Sequence, residues 1–149
     1  MLKKGKISMV DIKTEVKDTV KNIEGEVRSR TFRAGNILRK CALEVLSSKG
    51  GSRSGIRYKK SNSKVRYTAS APGEAPARRT GNLRNSWKIK NIPFTTSAGN
   101  GFDTAAAIET NVEYDTYLEH GTSKMASRPH HDRIKEMAVP QIEQLFSDL

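Results

Sequence analysis

The sequence predicts an α+β fold with a long N-terminal helix, a small antiparallel sheet that includes a β-hairpin, a short helix and a C-terminal helix. Three observations predict it: helical spacing of apolar residues over 11–48, apolar alternation on both sides of a turn within 87–112, and one apolar side over 130–148. A chain of 149 residues fits a single domain, here 1–149, and shows no internal repeat.

The first helix is predicted over residues 11–48, where apolar or small residues recur three or four positions apart. A Lys-Gly-Gly run at 49–51 is expected to end it, while Gly25 and Gly35 weaken its middle, so the segment is one helix or two collinear ones. The narrow apolar stripe favours packing against the protein core, with a coiled-coil seam as the alternative. The stripe consists of Val16, Val20, Ile23, Val27, Ala34, Leu38, Cys41 and Val45.

Residues 50–79 are predicted to form a basic, mobile arm or hairpin. Strand-like pieces at 56–59 and 65–69 interleave cations with tyrosines, and the Pro, Gly and Ala residues of 70–79 predict an exposed loop. Such cations favour contact with nucleic-acid phosphates or with an acidic subunit, and a solvated basic hairpin is the plainer alternative. The candidate contact residues are Arg57, Lys59, Lys60, Lys64, Arg66, Arg78 and Arg79.

The next part, 80–129, is predicted to combine short helices and strands. Thr80 is expected to cap a short helix over 81–86. A strand over 87–92, an Asn-Gly turn and a return strand over 104–112 then form the hairpin.

Two further helices complete the predicted fold. A short helix over 114–120 is expected to end at Gly121, and a final helix over 130–148 carries Pro140, which is expected to kink or split it. The single cysteine, Cys41, excludes an intramolecular disulfide and is expected to be a small buried hydrophobe.

The net charge of +11 is unevenly distributed along the chain. Residues 1–90 hold 23 Lys and Arg against 7 Asp and Glu, whereas residues 91–149 hold 4 against 9. This polarity favours contact with nucleic acid, with an acidic protein surface, or between the basic half of one subunit and the acidic half of the next. No apolar stretch has the length of a membrane span and no signal peptide is indicated, which predicts a reducing cytoplasm and no membrane contact.

The sequence predicts no enzyme, no catalytic residue, no cofactor and no metal site. No phosphate-binding or nucleophile motif is present, and the carboxylates are spread singly apart from Asp115 and Glu119, which are four residues apart. The three histidines are His120, His130 and His131. Because neighbouring residues of a helix or strand point in different directions, His130 and His131 make poor joint ligands and are expected to face solvent or an interface.

Two segments resemble a known family: SAPGEAPARRTGNLRNS at 70–86 and NVEYDTYLEHGTSKMASRP at 111–129. They are similar to the neck proteins of long-tailed bacteriophages, variously called minor tail, tail-completion or head–tail joining proteins. The resemblance departs after the Arg-Pro pair, where an apolar residue is common and this chain has His130 and His131. The motif residues are Thr80, Gly81, Leu83, Arg84, Ser86, Tyr114, Tyr117, Leu118, Glu119, Gly121, Thr122, Lys124, Met125, Arg128 and Pro129.

The resemblance implies a structural virion protein of the neck or tail, assembled in the bacterial host cytoplasm. It implies a homo-oligomeric ring, a hexamer or a dodecamer, at the place where the DNA-filled head meets the tail tube. Adjacent neck proteins and the tail-tube protein are the expected partners, with DNA as a non-specific contact. Oppositely charged halves suit head-to-tail contacts that close into such a ring.

The motif residues also have plainer structural interpretations. The turn at 80–84 is expected to orient Trp87, while Tyr114, Tyr117 and Leu118 are expected to turn one apolar face of a short helix toward the hairpin. The charged motif residues lie in loop-rich segments, where they suit subunit contacts and maintenance of the fold about equally.

A basic nucleic-acid-binding module without catalysis is the alternative function, and a metal-dependent nuclease is the third. A ring subunit predicts a native mass far above 16.6 kDa. A DNA binder predicts affinity that falls steeply with salt, and a nuclease predicts metal-dependent cleavage that is lost on changing His130 or His131.

Overall fold

The computed structural model describes residues 9–47, 53–59, 61–62, 64, 66–90, 95–97 and 101–149. Within these ranges the chain forms four α-helices and six short β-strands, which confirms the predicted α+β class. The helices are α1 (Met9–Val45), α2 (Asn82–Ser86), α3 (Tyr114–His120) and α4 (His131–Phe146). The strands are β1 (Arg57–Lys59), β2 (Arg66–Thr68), β3 (Lys88–Lys90), β4 (Thr95–Ser97), β5 (Gly101–Asp103) and β6 (Ala107–Glu109).

Helix α1 is one continuous α-helix of 37 residues, so Gly25 and Gly35 do not divide it. It ends at Val45, slightly before the predicted end, and Leu46 follows it in a turn. The Lys-Gly-Gly run at 49–51 that is predicted to stop the helix lies outside the described residues.

The core lies where the C-terminal half of α1 meets α4, α2 and the β3–β6 strand pair. Gly35 lets β3 approach α1 closely, because a Cβ atom there would lie 3.0 Å from Cγ2 of Ile89. Helix α4 remains continuous past Pro140, so the proline does not split it. The buried members of the core are Cys41, Ala42, Leu46, Leu83, Trp87, Ile134 and Ala138, which confirms Cys41 as a buried residue.

Strands β3–β6 and β4–β5 form two antiparallel pairs, nested in chain order, which confirms the predicted hairpin. Ile89 lies opposite Ile108 in the outer pair, and Thr96 lies opposite Phe102 in the inner pair. Within the return strand predicted over 104–112, only β6 is formed, and β5 precedes that range. The residues between β3 and β4 and those of the predicted Asn-Gly turn lie outside the described ranges.

The basic arm contains a second hairpin, formed by the antiparallel strands β1 and β2. Tyr58 lies opposite Tyr67, and their rings stack with centroids 5.6 Å apart. The loop that follows is not exposed throughout, as the sequence predicts, because Ser70, Ala75 and Pro76 are buried. The composition of 70–79 correctly predicts irregular backbone. Such backbone can be buried when neighbouring groups form hydrogen bonds with its N–H and C=O groups.

The carboxylate of Glu74 anchors this loop to the start of the arm. It accepts hydrogen bonds from the hydroxyl and amide of Ser54 and from the amide of Ala71. These bonds favour the charged form and lower the pKa of Glu74 to about 2. Arg53 donates to the carbonyl of Val45 at 3.0 Å, so the arm is also tied to the end of α1.

Three apolar residues in the N-terminal half of α1 are exposed. Val16, Val20 and Ile23 expose 57%, 46% and 46% of their surface, so the expected packing of the stripe against the core is wrong for these three residues. Arg30 links α1 to the end of α4, since its guanidinium donates to the carbonyl of Leu145 at 3.0 Å. In the described ranges, no helix has both the length and the apolarity that crossing a membrane requires.

Candidate assembly surface

The two motif segments line one groove of about 740 Å³. Its wall takes residues from 70–86 and 111–129, from both strands of the arm, and from the end of the core at Leu46. Leu83 and Leu118 provide apolar lining. The arginines and tyrosines around it are Arg78, Arg79, Arg84, Arg128, Tyr58, Tyr67 and Tyr114. Guanidinium groups beside aromatic rings suit a partner that presents carboxylates or phosphates.

Helix α2 begins at a left-handed glycine. Gly81 has φ 86° and is the N-cap residue of α2, so the predicted cap at Thr80 is wrong by one position. The Thr80 hydroxyl accepts only a long hydrogen bond of 3.4 Å from the amide of Asn82. Leu83 and Trp87 are both buried, which fixes this turn on the core.

Three arginines of the first motif lie along the groove with different degrees of restraint. Arg84 is half-buried, and its Nε donates to the carbonyl of Leu43 on α1 at 3.2 Å. Arg79 is exposed, with its guanidinium carbon 5.7 Å from the ring centroid of Tyr67. Arg78 is also exposed, so the two neighbouring cations remain accessible to a partner.

Arg128 of the second motif joins the two segments. Its amide donates to the carbonyl of Leu118 at 2.6 Å, and its guanidinium donates to the carbonyl of Ser70 at 3.3 Å. The amide of Gly73 in turn donates to the carbonyl of Ser127 at 3.0 Å. The groove is therefore held together by backbone groups and by the Arg128 guanidinium, whereas Arg78 and Arg79 remain exposed.

The loop after α3 requires glycine at its first position. Gly121 has φ 76°, and a Cβ atom there would lie 2.8 Å from the amide nitrogen of Ser127 and 2.9 Å from the carbonyl oxygen of Met125. The amide of Thr122 donates to the same Met125 carbonyl at 2.8 Å. This tight turn leaves Lys124 exposed at its tip.

Helix α3 is oriented differently from the sequence-based expectation. Tyr114 and Tyr117 are 44% and 57% exposed, so they do not form an apolar face against the hairpin. The inward side instead carries Leu118, which packs against the core, and Asp115, which is only 6% exposed. Burying a carboxylate is costly unless it is paired, and the pairing comes from the histidines at the start of α4.

His130 and His131 converge on Asp115, so the expectation that they point apart is wrong, and the expected exposure to solvent is confirmed only for His131. His130 is fully buried, and its Nε2 lies 2.7 Å from Oδ1 of Asp115. Nε2 of His131 lies 2.9 Å from Oδ2 of the same carboxylate. The reason is local: His130 is the N-cap residue with φ −139°, so regular helix geometry does not separate the two side chains. These three side chains offer ligand atoms within 4.8 Å of one another.

The charges of this cluster stabilise one another. Burial alone raises the pKa of Asp115, but hydrogen bonds and charge from the two histidines outweigh it and leave that pKa lowered. Burial likewise acts to lower the pKa of His130, but the Asp115 carboxylate and the Arg128 carbonyl outweigh it and the pKa is raised. For Glu119, burial is outweighed by the amides of His130 and His131, and its pKa is lowered.

Five further candidate contact residues are cations of the basic arm. The exposed cations of the arm are Arg57, Lys59, Lys64 and Arg66, whereas Lys60 lies outside the described residues.

Two motif residues have contacts within the fold rather than at the groove. The hydroxyl of Ser86 donates to the carbonyl of Leu83 at 2.7 Å and also contacts Thr110. Pro129 is half-buried just before α4. Eight of the fifteen motif residues line the groove, whereas the motifs miss the Asp115 cluster. The sequence signal for that cluster is limited to the acid pair at 115 and 119 and the adjacent histidines.

Comparison with known proteins adds no relative: no family model, no curated protein and no solved structure matches this chain.

Proposed function

We propose that this protein is a structural subunit of the phage head–tail junction, which assembles as a ring that completes the tail or joins it to the head. The observation that carries the proposal is the single groove lined by both motif segments, 70–86 and 111–129. Both segments that carry the resemblance contribute to this one surface, and we infer that a neighbouring subunit or protein binds there.

The charge distribution supports a head-to-tail contact between copies. Arg78 and Arg79 are exposed at the groove, whereas α4 exposes Asp132, Glu136 and Glu143. These three acids are four and seven residues apart, which places them on one side of the helix. The acidic side of α4 in one copy therefore complements the basic groove of the next, and a heterologous contact of this kind forms a ring when the rotation from copy to copy closes.

The exposed stripe of α1 supports a second contact. Val16, Val20 and Ile23 follow one another at helical spacing and expose about half of their surface. An apolar stripe left open on a lone subunit gains stability when a neighbour covers it. The proposed ring is a hexamer or a dodecamer in the virion neck, with the tail-tube protein and adjacent neck proteins as partners.

The first test is the native mass by light scattering, at low and moderate salt, with and without tail-tube protein. A discrete ring, or a monomer that becomes a ring on meeting the tube, is expected. A persistent monomer that ignores the tube contradicts the proposal.

Charge reversal tests the proposed contact itself. Arg78→Glu with Arg79→Glu, or Asp132→Lys with Glu136→Lys, is expected to abolish the ring, because each places like charges opposite one another. All four changes in one chain should restore it. A control, Arg33→Glu, reverses an exposed cation of α1 that does not line the groove, and it should leave the ring intact. If the variant with all four changes does not form the ring while the control does, the pairing of the groove with α4 is excluded.

A nucleic-acid-binding function is the second candidate, supported by the β1–β2 hairpin. Its stacked Tyr58 and Tyr67 lie among the exposed cations Arg57, Lys59 and Arg66. Such a hairpin would retard DNA in a gel as a monomer, with affinity that falls steeply as salt is raised. A monomer that binds DNA and ignores the tail tube would favour this function over the ring.

A further inference from the structure

The cluster between α3 and α4 is not used by the proposed assembly. We propose that Asp115, His130 and His131 bind a divalent transition-metal ion of the Zn²⁺ type, with a water molecule as the fourth ligand. It is the one group of three potential ligand side chains this close together in the described part of the chain. The proposal is independent of ring formation, since these side chains lie inside one subunit.

The ring of His130 has a fixed proton position. Its Nδ1 lies 3.1 Å from the carbonyl oxygen of Arg128 and 3.1 Å from Oε2 of Glu119. A carbonyl oxygen and an ionised carboxylate only accept hydrogen bonds, so Nδ1 carries a proton. In a neutral imidazole, Nε2 then presents a lone pair to Oδ1 of Asp115 at 2.7 Å. Two lone pairs at this distance repel one another unless a proton or a metal ion lies between them.

Protons and a metal ion both fit this arrangement. With protons, Nε2–H of a charged His130 donates to one oxygen of Asp115, and the Nε2–H tautomer of a neutral His131 donates to the other at 2.9 Å. A metal ion replaces these protons and uses the same three side chains as ligands. Two imidazole nitrogens and one carboxylate form a ligand set that suits Zn²⁺, Co²⁺ and Ni²⁺. With neutral imidazoles, the carboxylates of Asp115 and Glu119 also give the cluster a net negative charge that attracts a cation.

Glu119 supplies the support that metal-bound histidines commonly have. Its carboxylate lies next to Nδ1 of His130, and such a contact orients the ring and increases the basicity of the ligand nitrogen. It also accepts the amides of His130 and His131 at 2.8 and 3.2 Å. A negative charge here offsets the partial positive charge at the start of α4, which otherwise opposes a bound cation.

The distances require only small adjustments. Ligand atoms around a tetrahedral Zn²⁺ ion lie roughly 3.4 Å apart. The two contacts with Asp115, at 2.7 and 2.9 Å, must open slightly, and the widest separation of up to 4.8 Å must close. The side chain of His131 is 44% exposed and has room to move, whereas that of His130 is enclosed. Bound metal would cross-link α3 to the start of α4.

The test uses the untagged full-length protein after treatment with a chelator. Zn²⁺ affinity is measured by competition with a chromophoric chelator, and Co²⁺ binding by its visible absorption. One ion per chain and a rise in melting temperature with added Zn²⁺ are expected. His131→Ala should weaken binding by at least tenfold, and Glu119→Gln by about 10- to 100-fold. His120→Ala, which removes an exposed histidine of α3, should leave the affinity unchanged.

His130→Ala leaves a hole in a buried site and is a poor test if the variant fails to fold. His131→Ala keeps the test decisive, because its half-exposed side chain can be removed with little effect on packing. The metal site is excluded if the chelator-treated protein binds no Zn²⁺ or Co²⁺, which would leave a histidine–carboxylate ion pair. It is also excluded if His131→Ala binds as tightly as the parent while folded, or if His120→Ala loses binding.

Discussion

The two halves of α1 share one helical pattern but have different surroundings. In the C-terminal half, Cys41 and Ala42 are fully buried against α4 and the strand pair β3–β6. In the N-terminal half, Val16, Val20 and Ile23 continue the stripe but expose about half of their surface. A periodic stripe therefore shows that a helix face needs cover, but it does not show whether the cover comes from the same chain or from another.

Replacing Leu46, the residue directly after α1, and Val20 in the N-terminal half should separate the two ends of the helix most clearly. Leu46→Ala removes a side chain that is 2% exposed and should lower the free energy of unfolding by about 2–5 kcal/mol. Val20→Ala should change it by less than about 0.5 kcal/mol, because its site is solvated. Urea unfolding of the dilute monomer measures both. Similar losses at the two sites would show that the N-terminal stripe is covered within one chain.

Replacing either glycine of α1 by alanine should change the free energy of unfolding by a smaller amount, and the two changes should differ in sign or size. At Gly25 a Cβ atom meets nothing within 4 Å, so Gly25→Ala should stabilise the helix by about 0.5–1 kcal/mol. At Gly35 the same gain is offset by the 3.0 Å approach of Ile89, and Gly35→Ala should be neutral or destabilising. Adding Ile89→Ala should relieve that crowding in a double-mutant cycle. Equal stabilisation by both alanines would contradict a close approach of β3.

Arg30 lies at the boundary between the two halves and should have a more local effect. It donates to the carbonyl of Leu145 and pairs with Asp148 at 2.9 Å, so it satisfies the open end of α4. Arg30→Ala should speed amide hydrogen exchange in the last turn of α4 with little change elsewhere. The control is Arg33→Ala, at an exposed site of the same helix. Faster exchange throughout α4 would mean that Arg30 supports the whole helix pair.

The smallest expected effect is the response of the arm to acid, since the arm is held by polar contacts and not by the core. Because the folded pKa of Glu74 is lowered from 4.5 to about 2, its contribution is present above pH 4.5 and is lost as the pH falls from there toward 2. The protection factors of the Ser54 and Ala71 amides, which correct for the intrinsic slowing of exchange in acid, should fall over this window. Glu74→Gln should remove the pH dependence, and a variant that retains it would assign the transition to another group.

The fold is predictable from the sequence where it depends on local patterns. The helical period identifies α1 and α4, and alternation about a turn identifies the hairpin, because each needs only neighbouring residues. The burial of Ala75 and Pro76 is not predictable in this way. It depends on contacts between Glu74 and Ser54, which are twenty residues apart along the chain.

The candidate sites likewise combine features that local sequence predicts with features that depend on long-range contacts. Arg78 is a candidate contact because of the charge of the basic arm, and Arg128 is a residue of the second motif, but only the fold shows that both line one groove. The histidine pair is misjudged because helix geometry is assumed for both residues, whereas His130 lies at the N-cap position. The acid pair Asp115 and Glu119 is visible in the sequence, yet its inward direction follows from the packing of α3 against α4.

The position of Trp87 gives the molecule a built-in optical reporter. It is the only tryptophan of the chain, it is 6% exposed, and its ring lies edge-on to both imidazoles, with centroids 6.4 Å from His130 and 5.6 Å from His131. Indole emission depends on the polarity and charge around the ring. The fluorescence emission of Trp87 therefore reports both the opening of the core and any change in the charge of the neighbouring histidines. No label has to be attached to the chain.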